Sequence, residues 1–314
     1  MKQTVQELAA GDTTTGSTGF DSISTGVVGK VWLKELIEAA KKKMFFEQFA
    51  YVANAPKGNK DVAVPLYTSN LDFEITSTEC TTRTMTQINN LTTVVFTPAT
   101  QKMGVAISKD VVRTSQIDTV KFAREQLVYD ASLNIDAAFN TILLASDDTY
   151  GNIHLFGPDR VSQTAIVAGD VLTTDIIAKG NRVLKARGWY PEPDKPFVLF
   201  LPAVCEEALL KDSQFVNASE YGSNEVVMNG EIGKYLGIKV ISTEQCGAWS
   251  DTTDGHYCYL LKAKVAYGII YGEKPTLEFE YEKDLAEYKV YLDMCYQCKC
   301  LQETALQVIE VANA

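Results

Sequence analysis

The hydrophobic residues between positions 108 and 145 recur every three or four places, which is the spacing of one face of an α-helix. The stripe consists of Val120, Ala123, Leu127, Ala131, Ile135, Ala138 and Ile142. Ser108 stands before the pattern as a helix N-cap, and neither proline nor glycine interrupts Lys109 to Asp148. The pattern therefore predicts one continuous helix of roughly 35 residues, about 50 Å long, which would act as a spine.

A second helical pattern occupies residues 28 to about 51. Its apolar positions have the same spacing: Val28, Val31, Trp32, Leu36, Ala40, Phe45 and Phe49. The segment "NAPKGNK" (Asn54 to Lys60) ends it, because proline and glycine favour turns. Residues 10–26, before this helix, are mostly Gly, Ser and Thr and can bury little apolar surface. They predict an extended arm that would become ordered only on a partner.

The next segment changes to the alternation of strands. Apolar and polar residues alternate in "LDFEI" (Leu71 to Ile75) and in "KMGVAIS" (Lys102 to Ser108). Between them, Thr76 to Asn90 is polar and rich in threonine, while Pro65 and Pro98 belong at sheet edges. We expect a long hairpin that projects from the body. Because a two-stranded hairpin is marginal alone, a neighbouring subunit would have to cover it.

The second half of the chain mixes helices with strands. Residues 150–159 predict a loop, and "TTDIIAKGNRVLKARG" (Thr173 to Gly188) predicts a helix. "FVLFL" (Phe197 to Leu201) is continuously apolar, which is typical of a buried strand, and a helix from Ala203 to Lys211 follows Pro202. From Tyr257 onward the chain is mostly strand. The fold class is therefore α+β.

One late segment carries a distinct charge pattern. Leu277, Phe279 and Tyr281 alternate with three glutamates at positions 278, 280 and 282. In a strand such alternation places the two sets on opposite faces. We expect an acidic outer face on a half-buried strand.

Composition and charge narrow the class of protein. The chain has 314 residues, 46% of them hydrophobic, which is enough for one large domain or two ordinary ones. The net charge of −11 argues against a protein that coats DNA by charge, since lysine and arginine carry that kind of binding. No apolar run of 18 residues predicts a membrane span, and the N-terminus lacks the apolar core of a signal peptide.

A glycine-rich stretch, "VVMNGEIGKYLGIKVIST" (Val226 to Thr243), resembles a phosphate loop only superficially. A P-loop needs Gly-Lys-Ser/Thr, but Tyr235 follows Lys234 and Met228 occupies the place of the first glycine. The spacing of Gly230 and Gly233 also fails the dinucleotide pattern. We interpret the stretch as a turn followed by a strand, with glycine supplying positive φ.

Seven cysteines, an odd number, favour reduced thiols over a disulfide framework. Three of them lie in "CYQCKC", which raises the possibility of zinc. In a regular strand, however, Cys298 and Cys300 share one face while Cys295 points the other way. A tetrahedral site would then need a bend and a further ligand. We expect buried structural thiols; a metal- or thiol-dependent enzyme is the alternative.

Candidates for other chemistry are few. His154 falls in the predicted loop and His256 follows a predicted turn, and neither accompanies a nucleophile motif. Glu206 and Glu207 are adjacent on a helix and so point about 100° apart, which is unsuitable for an acid–base pair. The sequence contains no G-x-S-x-G, H-E-x-x-H or EF-hand motif. We therefore expect no catalytic residue, no cofactor and no metal site.

The order of these parts resembles the major capsid protein of tailed bacteriophages, whose fold is shared with herpesvirus capsid floors and encapsulins. The run "FVLFLPAVCEEALLKDSQFVNASEYGSNEVVMNGEIGKYLGIKVISTE" resembles a segment of the podovirus-type family, in Phe215, the Tyr221-Gly222 pair and Gly230 to Lys234. "KMGVAISKDVVRTSQIDTV" is similar to that family's passage from hairpin to spine. "LKAKVAYGIIYGEKPTLEFEYEKD" is similar to its route back to the sheet. The likeness spans about Val28 to Val311.

The resemblance implies a capsid fold with six parts. These are an N-terminal arm (1–27), the first helix of a peripheral domain (28–53), an extended hairpin loop (54–107), the spine helix and peripheral domain (108–168), an axial domain (169–275) and returning strands (276–314). The glycine stretch would then be a turn and strand of the axial domain. No long scaffold-like segment precedes the hairpin, so a separate scaffolding protein, or none, is implied.

The resemblance also implies a function without enzyme chemistry. Copies would form hexamers and pentamers that tile an icosahedral shell around double-stranded DNA, held without sequence-specific binding and without a membrane. Partners would be other copies, through arm and hairpin, and separate scaffolding, portal and decoration proteins. The location would be the virion, with assembly in the host cytoplasm. An encapsulin-like compartment is the alternative within this fold; the glycine segment favours the phage protein.

Overall fold

The computed structural model describes residues 45–56, 61–67, 91–115, 118–145, 154–157, 160–212, 234–250 and 253–313. The helices of this part are α1 (Phe46–Phe49), α2 (Lys109–Thr114), α3 (Thr119–Leu144), α4 (Thr174–Ala186) and α5 (Ala203–Lys211), with 3₁₀ turns at Gln163–Ala165 and Glu303–Ala305. The predicted arm (1–27), the helix up to residue 44 and "LDFEI" lie outside the described residues.

The strands of the described part form three sheets. They are β1 (Tyr51–Asn54), β2 (Val62–Tyr67), β3 (Leu91–Phe96), β4 (Ala99–Ser108), β5 (His154–Phe156), β6 (Phe197–Leu201), β7 (Lys234–Tyr235), β8 (Ile238–Ser242), β9 (Ala248–Ser250), β10 (Asp254–Lys262), β11 (Tyr267–Glu282), β12 (Glu287–Cys300) and β13 (Leu306–Ala312). One sheet has the order β1-β11-β12-β4, a second has the order β5-β13-β10-β6-β8-β7 with β9 on β10, and β2 pairs with β3 alone.

The spine is broken into two helices. The Ser108 hydroxyl accepts a hydrogen bond from the backbone N–H of Asp110, which confirms the predicted N-cap. Helix α2 then ends at Ser115, whose ψ of 138° is extended, and Asp118 caps a new helix by accepting from the N–H of Lys121 at 3.0 Å. The prediction of one roughly 35-residue helix is therefore wrong. Helix α3 has 26 residues and is about 39 Å long.

Helix α3 packs on the four-stranded sheet through its predicted stripe. Ala123, Leu127, Ala131 and Ile135 are buried. Phe139, also on α3, belongs to an aromatic cluster with residues from α1, β6, β10 and β11, namely Phe46, Phe200, Tyr259 and Tyr267. This cluster joins the spine to both large sheets.

The seven-stranded sheet is mixed. Strand β6 runs parallel to β8 and antiparallel to β10, and all five of its residues are buried, as predicted. Helix α4 lies against this sheet at Gly180, where a Cβ atom would come within 2.9 Å of Leu260. The missing Cβ of this glycine lets the helix approach the Leu260 side chain closely.

Strand β11 contains an irregularity at its middle. It pairs with β1 up to Tyr271 and with β12 throughout, but its register with β12 shifts on either side of Glu273. A Cβ at Gly272 would lie 2.9 Å from the Cys295 sulfur. Pro275 lies at this bulge, where the missing N–H interrupts no regular ladder.

Several predicted boundaries need correction. Residues 51–54 form a strand parallel to β11, not the end of a helix, and residues 154–156 form a strand on β13, not a loop. Strand β4, predicted as part of the projecting hairpin, belongs to the four-stranded sheet. Within the predicted hairpin, β2 pairs antiparallel with β3, which puts Pro65 at a sheet edge, and Pro98 lies in the link before β4. The polar tip, Thr76 to Asn90, lies outside the described residues, so the projecting hairpin stays a prediction. No helix in the described ranges is long and apolar enough to cross a membrane.

Candidate functional surface

Helix α3 covers the middle of one face of the four-stranded sheet and leaves its two flanks open. In one cross-strand row, Phe279 of β11 lies opposite Val290 of β12, which lies opposite Val105 of β4. Val290 is fully buried, whereas Phe279 and Val105 are 48% and 40% exposed. Strands about 4.8 Å apart make a three-stranded face wider than the backbone of one helix. The ends of the row therefore extend beyond it.

The next row repeats the arrangement. Leu292 is fully buried at its centre, and Leu277 on β11 is 44% exposed at its end. We call Leu277 and Phe279 the apolar strip. The guanidinium of Arg124 lies 5.2 Å from the centre of the Phe279 ring, a cation–π contact at the border of the strip. The predicted alternation along β11 is confirmed, and the described residues of this chain cover its apolar face only in part.

The other flank holds a cavity of about 280 Å³ between β4 and α3. Its lining is apolar at the base and polar at the rim: Val105, Ile107, Thr119, Phe122, Ala123, Gln126, Leu127 and Asp130. The Phe122 ring beside it is 45% exposed. Together with the strip, this flank shows that the sheet and spine offer apolar surface on both sides of α3.

The opposite face of the same sheet is charged. Glu278 and Glu280 are exposed there, and Lys102 lies 3.9 Å from Asp293 across neighbouring strands. Such exposed pairs contribute little to stability. An exposed apolar strip with polar residues around its edge is the composition of many protein–protein contact surfaces.

Both histidines lie in strands of the seven-stranded sheet. His154, predicted in a loop, is on β5, and its Nδ1 lies 2.6 Å from the Oε1 of buried Glu310. His256, predicted beside a turn, is half-buried on β10. Both positions are compatible with a packing role.

The end of the glycine stretch folds as predicted. Leu236 and Gly237, at φ 49° and 79°, form the turn between β7 and β8. The predicted strand Ile238–Ser242 is confirmed as β8. Gly230 and Gly233 lie outside the described residues.

The predicted placement of the cysteines of "CYQCKC" on opposite faces of a strand is confirmed for Cys295 and Cys298. Cys298 is buried on the same face as Tyr296 and Met294, while Cys295 lies on the other face, half-buried. Burial raises the pKa of the Cys298 thiol to about 12. Within the described ranges, no three His, Cys, Asp or Glu side chains are grouped closely enough to hold a metal ion.

The sequence analysis missed several buried polar residues, of which Asp136 is the most deeply placed on the spine. Asp136 on α3 is 1% exposed and accepts a hydrogen bond from the backbone N–H of Phe45 at 3.1 Å. The only signal in the sequence is its position directly after Ile135 of the apolar stripe.

Comparison with known proteins places this geometry in a structural class. No protein-family model matches the sequence, and no curated protein does. Solved structures do match along nearly the whole chain. The capsid of cyanophage Pam1 superposes with a TM-score of 0.71 at 14% identity, covering 96% of this chain and 100% of that one. The capsid of cyanophage P-SCSP1u superposes with a TM-score of 0.71 at 15% identity, covering 92% of this chain and 94% of that one. The capsid of Ralstonia phage GP4 superposes with a TM-score of 0.67 at 14% identity, covering 95% of this chain and 99% of that one.

The chain therefore has the α+β fold of tailed-phage capsid proteins, as the resemblance implied. The TM-scores and the coverage of both chains establish this fold.

Proposed function

We propose that this chain is the major structural subunit of an icosahedral shell that encloses double-stranded DNA, and that its copies form hexamers and pentamers. The observation that carries the proposal is the fold match to whole phage capsid chains, 94–100% of each being covered. The proposed role is structural and needs no catalytic residue, cofactor or metal.

The open flanks of the sheet support a contact between subunits. Leu277 and Phe279 are each about half exposed. Burying such a side chain completely contributes about 1.5–3 kcal/mol, so covering the remaining half of both would contribute about 1.5–3 kcal/mol to each subunit contact. Repeated at every contact of a closed shell, that contribution becomes large.

The parts of the chain then take the roles that the resemblance implies. The seven-stranded sheet would form most of an axial domain, and α3 with the four-stranded sheet a peripheral domain. The arm (1–27) and the hairpin would lie on neighbouring subunits. Separate scaffolding, portal and decoration proteins are the proposed partners, with assembly in the host cytoplasm and the virion as destination. The net charge of −11 suits a wall that holds DNA without sequence-specific binding.

The test compares three versions of the chain: wild type, the double variant Leu277→Ser/Phe279→Ser, and a matched control on the opposite face, Glu278→Gln/Glu280→Gln. Each is produced alone and with a scaffolding protein, checked for folding by circular dichroism, and examined by negative-stain microscopy. We expect closed particles from wild type and control. The strip variant should fold but need at least about ten times more protein to assemble, since about 1.4 kcal/mol corresponds to tenfold.

The experiment tests the strip as a subunit contact separately from the role of the chain in a shell. If the strip variant assembles at the wild-type concentration, the strip is not a subunit contact. If the wild-type chain builds no particle under any of these conditions, the shell proposal fails. Particles from the natural source should also contain nuclease-protected DNA; cellular protein in its place would favour the encapsulin-like alternative.

A further inference from the structure

Asp136 occupies an unusual position for an acidic residue. It lies in the middle of α3, is 1% exposed, and faces the point where the described body of the chain begins. Its carboxylate accepts the backbone N–H of Phe45 at 3.1 Å and that of Phe46. The first 44 residues of the chain precede this point. A single buried carboxyl group thus connects the spine to the first described helix.

The surroundings of this group supply hydrogen bonds but little positive charge. Tyr267 donates its hydroxyl to the carbonyl of Phe46 at 2.7 Å, and Tyr271 donates to Glu47 at 2.7 Å. The charge of Glu47 disfavours the ionised form of Asp136 and so raises its pKa further. Among the described residues, no lysine, arginine or histidine forms an ion pair with either carboxylate.

The other titratable groups facing Asp136 do not ionise near neutral pH. They come from three further segments: Tyr267 on β11, Cys298 on β12 and Cys246 before β9. Burial raises the pKa of all three. The pH dependence near neutral pH is therefore attributed to Asp136.

We propose that Asp136 is a pH-dependent latch, which fastens α1 to the spine more firmly when its carboxyl group is protonated. Protonation removes the buried charge and the repulsion from Glu47, while one oxygen still accepts the backbone N–H groups. The proposal concerns the single subunit and does not depend on shell formation.

The direction of the effect follows from proton binding. Burial raises the pKa of Asp136 from 3.8 to about 6 in the folded chain. Between these two values the folded state binds more protons than the opened state, so the latch is stabilised as the pH falls. The stabilisation is complete below about pH 4 and is lost as the pH rises through about 6. Between about pH 7.5 and pH 5 the closed state should gain about tenfold over the open state.

The experiment is hydrogen–deuterium exchange of residues 45–50 in the full chain, with rates corrected for the intrinsic effect of pH. Wild type should be about tenfold more protected at about pH 5 than at about pH 7.5. The variant Asp136→Asn, neutral and of the same shape, should lose this pH dependence and be well protected at both. Glu125→Gln, an exposed carboxylate on the same helix, should behave as wild type.

A second variant covers the case in which Asp136→Asn does not fold. Glu47→Gln removes the like charge while its amide oxygen still accepts from Tyr271, so the midpoint of the wild-type pH dependence should move to lower pH. Equal corrected protection of wild type at both pH values would overturn the proposal. So would a pH dependence that persists in Asp136→Asn, or a midpoint that does not move in Glu47→Gln.

Discussion

Replacing Phe139 with alanine should destabilise the subunit more than most single substitutions. The ring is fully buried on α3. Its centre lies 5.0 Å from the centre of the Tyr267 ring, in an edge-to-face arrangement, and 6.5 Å from the centre of the Phe46 ring. Truncation removes about 120 Å² of buried apolar surface, or about 3 kcal/mol, and an aromatic contact adds about 1 kcal/mol. We therefore expect a loss of about 4 kcal/mol, within the range of about 3–5 kcal/mol for buried Phe-to-Ala substitutions.

The assay is urea unfolding of the purified, unassembled chain, followed by circular dichroism and tryptophan fluorescence. Phe122→Ala is the matched control, because this ring lies on the same helix but is 45% exposed. Phe122→Ala should lower the free energy of unfolding of the free subunit by about 1 kcal/mol or less. Equal losses for the two variants, or a loss below about 1 kcal/mol for Phe139→Ala, would refute the assignment of Phe139 to the core that joins spine and sheets.

Two further predictions concern buried polar groups. Tyr259→Phe deletes the hydroxyl that donates to the Asn140 side-chain oxygen. It should cost about 1 kcal/mol in the same unfolding assay, and an unchanged free energy would show that this hydrogen bond is not formed in solution. In native protein at about pH 8, iodoacetamide should modify Cys295 well before Cys298, because burial raises the pKa of Cys298 to about 12. Mass spectrometry of digested samples measures the order in which the two cysteines are modified. Equal rates would contradict their placement on opposite faces of β12.

The sequence predicts those parts of the fold that depend on local chemistry. Ser108 is a cap in the structure because its hydroxyl reaches the N–H of Asp110 two residues later. The residues up to Cys298 form a strand whose apolar side chains alternate onto the buried face, as their period of two predicts. The apolar run Phe197–Leu201 is also a strand; its length of five residues and the proline on either side favour a strand over a helix.

Other features could not be predicted from the local pattern, either because two local structures compete or because the partners are distant in sequence. The spine breaks before Asp118 although no glycine or proline marks the place, because a capping side chain competes with continuation of the helix. The short strand His154–Phe156 exists only because β13 lies beside it. Alternation places Leu277 and Phe279 on one face, but no local pattern tells whether anything covers that face. For the same reason the burial of Asp136 could not be predicted. The arm and its ordering by a neighbour stay predictions.

The bulge in β11 has a geometric consequence. Up to Tyr271 the strand lies between β1 and β12, and beyond Glu273 it is the edge strand of the sheet, paired with β12 alone. A bulge bends its strand and changes the direction in which the following residues run. The irregularity at Glu273 therefore sets the direction in which the second half of β11 leaves the core, and with it the position of Leu277 and Phe279 at the edge of the sheet.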